Sequence, residues 1–263
     1  LPAGVGQAPA RQAVLGAGLP ISVPSTTVGK VCGSGMKALM LGHDAILAGS
    51  ADIVVAGGME SMSNAPYLLD RARGGYRLGH GRVLDHMFLD GLEDAYAKGR
   101  LMGTFAEDAA AHFQIDRDAQ DDYALASLER AKAAIAGGAF ATEVVAVATK
   151  AGDVAVDEQP GKARPEKIRA LKPAFRDGGT VTAANSSSIS DGAAALTLMR
   201  LSQAEKRGLT PLAVVRGHAG HAAEPEWFTT APVGAMRKLL DRLGWTTGDV
   251  DLYERSEGHT SEL

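Results

Sequence analysis

The sequence has 263 residues, of which 45% are hydrophobic and 22% are charged, with a formal net charge of -4. This composition is typical of a globular protein with a buried core, and its scattered lysines and arginines argue against nucleic-acid binding. The single cysteine excludes an intramolecular disulfide framework, and the lack of a long apolar run argues against a membrane-spanning segment. We therefore expect a cytoplasmic protein with no membrane or nucleic-acid partner.

The first part of the chain predicts a layered arrangement of helices and strands. Residues 9–18, PARQAVLGAG, predict a short helix with a proline near its start. The β-branched stretch 21–31, ISVPSTTVGKV, predicts an extended segment that leads directly into Cys32. Residues 34–48 predict a helix that is buried nearly all round, and 52–58, DIVVAGG, predict a fully buried strand. Helix, strand and glycine turn in this order are typical of an α/β layered fold.

Charged, loop-rich sequence follows, and it predicts an insertion into the layered core. Within it we expect helices near 104–113 and over 117–135, a strand over 142–149 and a long irregular loop over 157–174. The acidic run 116–122, DRDAQDD, predicts a solvated helix start. The sequence after the insertion again has small apolar residues typical of a core, and we expect strands over 193–199, 212–219 and 249–254. We also expect a short helix with a capping box of Ser202 and Glu205, and a helix between Pro232 and Gly244.

Cys32 is the first candidate for a catalytic residue. A thiolate is a strong nucleophile, and the unpaired N–H groups at the start of a helix stabilise its negative charge. We expect Cys32 to stand at such a start, because an extended segment precedes it and a helix follows. A buried, unreactive cysteine is the alternative interpretation. Gly33 and Gly35 favour the catalytic one, since an acyl group that passes close to the backbone needs the space beside them.

The same residues also fit a dinucleotide-binding fingerprint. Residues 33–38, GSGMKA, match its glycine pattern, and Asp52 lies near the required distance downstream. That fingerprint requires a buried strand in front of the glycines, whereas this stretch contains Pro24, Gly29 and Lys30. A dinucleotide-binding dehydrogenase is therefore a distant alternative.

The histidines are weak candidates for metal ligands. His218 and His221 could pair on an ion, but they fall at the end of a predicted strand with no carboxylate or cysteine at ligand spacing. His43 lies on the helix after Cys32, on a face that the sequence does not define. We expect no metal site.

Four stretches of the sequence carry a resemblance to a known family. They are TTVGKVCGSGMKAL, DIVVAGGMESMSNAPYLL, LMGTFAED and GTVTAANSSSISDGAAALTLM, in that order. Together they resemble the thiolase family, in particular its bacterial acetyl-CoA acetyltransferases, from Leu1 to about Glu254. The resemblance implies a thiolase-like layered α/β/α core, with most of its first half present. It places that first half at 1–60 and 181–208, an inserted CoA-binding loop domain at 61–180, and the start of the second half at 209–263.

The resemblance also implies an activity and the residues that perform it. Cys32 carries the acetyl group in the Claisen condensation of two acetyl-CoA molecules to acetoacetyl-CoA, or in the reverse thiolysis. Gly33 leaves room for the acyl group, and Met102 belongs to the part of the insertion that lines the substrate pocket. Leu101 stands where biosynthetic members commonly carry a histidine. CoA thioesters are substrates and no cofactor is implied, and full-length members are usually homo-oligomers, either dimers or tetramers.

The sequence departs from the family pattern near its end. Members continue after the strand at 249–254 with an Asn-Glu-Ala-Phe motif, a histidine that activates the nucleophile and a second cysteine that acts as a base. Here Ser256 stands in place of the asparagine and Glu257 matches, but the histidine motif and the second cysteine do not occur. We therefore expect a thiolase fragment that lacks both ends and is inactive alone. The alternatives are a non-catalytic remnant that binds CoA or a partner subunit, and a ketoacyl synthase, which shares the layered fold and the cysteine nucleophile.

Overall fold

The computed structural model describes residues 1–254. The motif comparison at Ser256 and Glu257 lies outside the described residues. Contacts divide the chain into two compact units. Unit 1 comprises Leu1–Arg100, Ile189–His221 and Ala235–Val250, and unit 2 contains Leu101–Ser188 and Ala222–Gly234. The domain bounds expected from the sequence stay a prediction.

The secondary structure of residues 1–254 is mixed. The α-helices are α1 (Pro9–Gly16), α2 (Ser34–Leu47), α3 (Met102–Phe113), α4 (Arg117–Ala136), α5 (Gln159–Lys162), α6 (Pro165–Ile168), α7 (Leu201–Lys206) and α8 (Ala231–Leu243). The strands are β1 (Ile53–Ser61), β2 (Tyr67–Leu68), β3 (Leu84–Asp85), β4 (Val147–Thr149), β5 (Gly152–Val154) and β6 (Asp191–Met199). In this part of the chain, no helix combines the length and the apolar character needed to cross a bilayer.

The longer predicted helices are confirmed, but the details of the short ones differ. The helices α1, α2, α3, α4 and α8 lie where the sequence predicts them. The predicted capping box of Ser202 and Glu205 is wrong, because α7 starts at Leu201 and its N-cap residue, Arg200, makes no side-chain cap. The predicted irregular loop over 157–174 contains α5 and α6, each with a proline in its first two positions. Proline is tolerated there because the first N–H groups of a helix have no partner in the helix.

The acidic run 116–122 is only partly solvated. Asp116 caps α4 by accepting a hydrogen bond of 2.8 Å from a first-turn backbone N–H. Asp121 is only 1% exposed. Its carboxylate accepts hydrogen bonds from Arg117 Nε at 2.7 Å and from Asn185 Nδ2 at 3.1 Å. The prediction of a solvated run is wrong at Asp121, because these two donors replace water.

β1 and β6 pair along their length and form an antiparallel two-stranded sheet in unit 1. The register runs from Ile53 opposite Met199 to Ser61 opposite Asp191. The strands that the sequence predicts at these two places are confirmed. The helix after Cys32, α2, packs on this sheet.

α2 packs closely on one face of the β1–β6 sheet, and glycines permit the approach. A Cβ atom added at Gly42 would come within 2.9 Å of Val54 Cγ1. A Cβ atom added at Gly58 would come within 3.2 Å of Gly35 Cα. The expectation that α2 is buried nearly all round is wrong, however, since its fully buried residues are Gly42 and Ile46.

Gly57 of β1 has no room for a side chain. An added Cβ atom would lie 2.2 Å from the carbonyl oxygen of Ala194 on the paired strand, whereas one added at Gly192 of β6 would meet nothing within 4 Å. We expect Gly57→Ala to lower the free energy of unfolding by about 2 kcal/mol, because the paired strands must separate. Gly192→Ala is the matched control and should change it by less than about 0.5 kcal/mol. Urea unfolding measures both, and equal effects would contradict this explanation.

The face of the sheet opposite α2 is exposed. Side chains alternate between the faces of a strand, so Ile53, Val55 and Met59 share this face. Their exposed fractions are 43%, 56% and 57%. The prediction of a fully buried strand is therefore wrong. Within the described residues, α2 covers the other face and β6 pairs with one edge of β1.

This apolar face is expected to drive self-association of the isolated chain. In size-exclusion chromatography, the apparent mass should rise with protein concentration, and Val55→Thr should weaken that rise. Leu212→Ser is the matched control, because Leu212 is 98% exposed but lies outside this face. A single monomeric peak at every concentration would contradict the expectation.

Two predicted strands are absent from the described chain, and others are shorter than predicted. Residues 212–219 and 249–254 contain no strand. The stretch 142–149 is reduced to β4, which pairs with β5. A strand forms only where its backbone finds a partner to bond, and a β-branched composition alone does not provide one.

Unit 2 contains a buried carboxylate on α3, that of Glu107. Glu107 is 4% exposed and accepts hydrogen bonds from the backbone N–H groups of Thr180, at 2.9 and 3.0 Å, and Val181, at 2.8 Å. The Thr180 hydroxyl donates a further bond of 3.1 Å. On the same helix, the Phe105 ring makes an edge contact with Phe228, with the ring centroids 5.7 Å apart. The segment at 180–181 is thereby tied to α3.

Candidate functional site

Cys32 lies immediately before α2, as the sequence predicts. The helix starts at Ser34, and Gly33 is its N-cap residue. Cys32 is a free thiol and is exposed. The expectation of burial in the alternative interpretation is therefore wrong, while the reactivity of Cys32 stays a prediction.

The backbone turn that presents Cys32 is tightly bonded. The Ser34 hydroxyl accepts a hydrogen bond of 2.8 Å from the Lys30 N–H and donates one of 2.7 Å to the Val31 carbonyl. The Gly33 N–H donates to the Lys30 carbonyl at 3.0 Å. Val31 has φ 49°, a left-handed conformation that a β-branched residue rarely adopts. Such a conformation costs about 1–3 kcal/mol and persists only when its surroundings impose it.

Gly33 and Gly35 have different surroundings. A Cβ atom added at Gly33 would make only ordinary contacts with Lys30, the nearest at 3.5 Å. Packing in the described residues therefore does not require glycine at position 33. Gly35 faces Gly58 of β1, where an added Cβ atom would lie 3.5 Å from the Gly58 backbone. This is also an ordinary contact, so packing in the described residues does not require glycine at position 35 either, and the role that the sequence suggests for Gly35 stays a prediction.

Met102 is the first residue of α3 in unit 2, and it is half-buried. Leu101 precedes it as the N-cap residue of the helix in an extended conformation. The Thr104 hydroxyl donates a hydrogen bond of 2.7 Å to the Leu101 carbonyl and completes this first turn. The substrate-binding roles of Gly33 and Met102 stay predictions.

Sequence reasoning missed a cluster of His43, Asp44 and His218 in unit 1. His218 Nε2 donates to Asp44 Oδ1 at 2.9 Å, and His43 Nδ1 lies 3.8 Å from the same oxygen. The hydrogen bond from His218 holds the pKa of the Asp44 carboxyl below its ordinary value. His221 is not a member of the cluster. No sequence signal could have found the cluster, because residue 218 is far from 43 and 44 along the chain.

Family comparison agrees with the motifs around Cys32. The family described as "Thiolase, N-terminal domain" matches residues 1–202, and "Thiolase, C-terminal domain" matches residues 209–263. The chain belongs to the thiolase family. This membership decides against a ketoacyl synthase. It also decides against the dinucleotide fingerprint, whose required strand before Gly33 is absent from residues 21–31.

Individual thiolases support the family assignment. Acetyl-CoA acetyltransferase 2 of Arabidopsis thaliana is 51% identical over 264 residues, which cover 98% of this chain and 65% of that protein. Acetyl-CoA acetyltransferase of Chromobacterium violaceum is 46% identical and is matched over 100% of this chain and 68% of its own length. The chain thus spans about two thirds of the length of these relatives.

Solved thiolase structures confirm the predicted fold class, a layered α/β/α thiolase core. An acetyl-CoA acetyltransferase from Syntrophomonas wolfei superposes with a TM-score of 0.92 at 40% identity, covering 99% of this chain and 66% of that one. The Acat5 thiolase from Ascaris suum, solved in complex with coenzyme A, gives 0.92 at 39% identity, with coverages of 98% and 67%.

Proposed function

We propose that this chain is the acyl-carrying part of an acetyl-CoA acetyltransferase. The observation that carries the proposal is the exposed thiol of Cys32 at the start of α2, in a chain 51% identical to a thiolase of that name. An exposed thiol in front of a helix is accessible to a large thioester and lies near the positive end of the helix dipole.

The first half-reaction follows from that position. The Cys32 thiolate attacks the carbonyl carbon of acetyl-CoA, so a new sulfur–carbon bond forms while the bond to the CoA sulfur breaks. CoA leaves as its thiolate and takes up a proton. In the tetrahedral intermediate between these two events, the carbonyl oxygen is negatively charged. Backbone N–H groups at the start of α2 are the donors suited to stabilise it. Gly33 leaves the approach to the thiol open.

The substrate assignment rests on the relatives. The Ascaris suum thiolase binds coenzyme A, and the curated relatives are acetyl-CoA acetyltransferases. We assign CoA thioesters as the substrates of this chain, with Met102 as a pocket residue. In the second half-reaction, a carbanion formed from another acetyl-CoA attacks the acetyl group on Cys32 and yields acetoacetyl-CoA; thiolysis is the reverse. We further propose, from the family resemblance of the sequence, that the full-length protein is a homo-oligomer.

The test is direct detection of the acetyl group. The chain is incubated with acetyl-CoA at neutral pH, quenched in acid and digested, and mass spectrometry locates the acetylated peptide. We expect acetylation of the Cys32 peptide, at a rate above that of a small free thiol at the same concentration. Cys32→Ser should lose this label, whereas Ser50→Ala, a substitution outside the turn, should retain it.

A different outcome would support the rival function. If the chain binds CoA in a calorimetric titration but Cys32 reacts no faster than the small thiol, the protein is a CoA-binding remnant rather than an acyl carrier. If it neither binds CoA nor is acetylated, the proposed function is wrong.

A further inference from the structure

The cluster of His43, Asp44 and His218 has the composition and spacing of a metal site. We propose that these three side chains bind one divalent transition-metal ion of the Zn²⁺ class. The two imidazole nitrogens and the carboxylate oxygen all lie within 4.8 Å of one another. All three residues belong to unit 1.

His43 provides the observation that points to a ligand. Its Nδ1 atom is buried and has no hydrogen-bond partner among the described residues, although its side chain is 19% exposed overall. A buried nitrogen without a hydrogen-bond partner is energetically unfavourable. Asp44 Oδ1 lies 3.8 Å from this nitrogen, which is too long for a hydrogen bond. A metal ion between the two atoms would satisfy both.

The donor set matches the chemistry of zinc. Zinc accepts imidazole nitrogen and carboxylate oxygen at about 2.0–2.2 Å, with water as a common fourth ligand. Tetrahedral ligands at that bond length lie about 3.4 Å apart, so the widest separation in the cluster must shrink by about 1.4 Å. The side chains of His218 and Asp44 are 23% and 54% exposed, so neither is fully enclosed by neighbouring atoms, and the proposal requires them to move on binding the ion. Coordination would then replace the hydrogen bond between His218 and Asp44.

The surroundings both favour and limit a cation. His43 and Asp44 lie near the C-terminal end of α2, where the helix dipole favours positive charge. Against this, Lys37 interacts electrostatically with Asp44, and Arg242 donates a hydrogen bond of 3.1 Å to the His218 carbonyl. Because the site has one carboxylate and these two cations interact with its residues, we expect micromolar rather than nanomolar affinity.

The role of this ion is structural. His43 is nine residues beyond the start of α2, which places it about 14 Å along the helix from the end that carries Cys32. The ion therefore does not touch the thiol. It joins α2 to the segment around His218, which the sequence predicts as a strand and which has no strand pairing in the described chain. The inference stands independently of the proposed acyl transfer.

The experiment uses the full chain with Cys32→Ser, because an exposed thiol would itself bind zinc. Isothermal titration with Zn²⁺ alone should show one ion per chain, with an increase in melting temperature in the same buffer. His218→Ala and His43→Gln should each weaken binding by about ten-fold or more. His221→Ala is the matched control, since it removes a neighbouring histidine outside the cluster, and it should leave the affinity unchanged.

Three results would overturn the proposal. The first is the lack of saturable binding at Zn²⁺ concentrations up to about ten times the micromolar range. The second is binding that neither His218→Ala nor His43→Gln weakens. The third is a weakening by His221→Ala equal to that caused by the two cluster variants. His43→Gln keeps the His218 to Asp44 hydrogen bond, so it remains informative if His218→Ala fails to fold.

Discussion

Given acetoacetyl-CoA and CoA, the 263-residue chain is expected to show no sustained cleavage. Cleavage releases a carbanion from acetoacetyl-CoA, and a general acid must protonate it. In the proposed mechanism the sulfur of Cys32 carries the acetyl group at that moment, and the sequence contains no second cysteine. One sulfur cannot act as acyl carrier and as proton donor in the same step, so we expect the reaction to stop at or before one event per chain.

The measurement follows the loss of acetoacetyl-CoA absorbance over many equivalents of substrate. Cys32→Ser provides the background rate, and the wild-type chain should match it after any initial burst. Repeated cleavage that depends on Cys32 would show that another side chain of this chain moves the proton, and the expectation would be wrong.

Removing the buried carboxylate of unit 2 is expected to have the largest effect on stability. Glu107→Ala should lower the free energy of unfolding by about 3 kcal/mol, because it leaves the backbone N–H groups of Thr180 and Val181 without an acceptor. Val181 is 1% exposed, so water cannot replace the lost bond without opening the core. Urea unfolding followed by circular dichroism measures the change.

Asp108 offers a matched control on the next position of α3. Its carboxylate is 40% exposed and pairs with Arg176. Exposed pairs contribute little, so Asp108→Ala should change the free energy of unfolding by less than about 1 kcal/mol. Glu107→Gln retains the shape of the side chain and one acceptor oxygen. Its loss in free energy of unfolding should therefore lie between those of Glu107→Ala and Asp108→Ala. Equal losses for Glu107→Ala and Asp108→Ala would contradict the assigned role of Glu107.

Local features of this chain could be predicted from its sequence. The periodic apolar residues of 34–48 identify α2, and the motif around Cys32 identifies the thiolase family and the place of the thiol. These signals are contained in short stretches of chain. The structure and the family comparison agree with them for that reason.

Features that depend on distant partners could not be predicted. Residues 212–219 have strand composition, but strand formation requires a neighbouring backbone, which no local pattern reveals. The burial of Asp121 depends on Asn185, and the approach of His218 to Asp44 depends on the path of the chain between them. The sequence therefore indicated a solvated acid at Asp121, where the fold provides two hydrogen-bond donors. The site roles of Cys32, Gly33 and Met102 remain predictions.

The left-handed conformation of Val31 has a consequence for how a substrate would meet the thiol. Cys32 is exposed, so side-chain packing does little to hold it, yet the bonded turn from Lys30 to Ser34 restricts its backbone. The entropy of ordering this backbone is therefore lost when the chain folds rather than when the thioester binds. Because the turn is already ordered, less of the favourable binding free energy is offset by ordering the protein when the substrate binds.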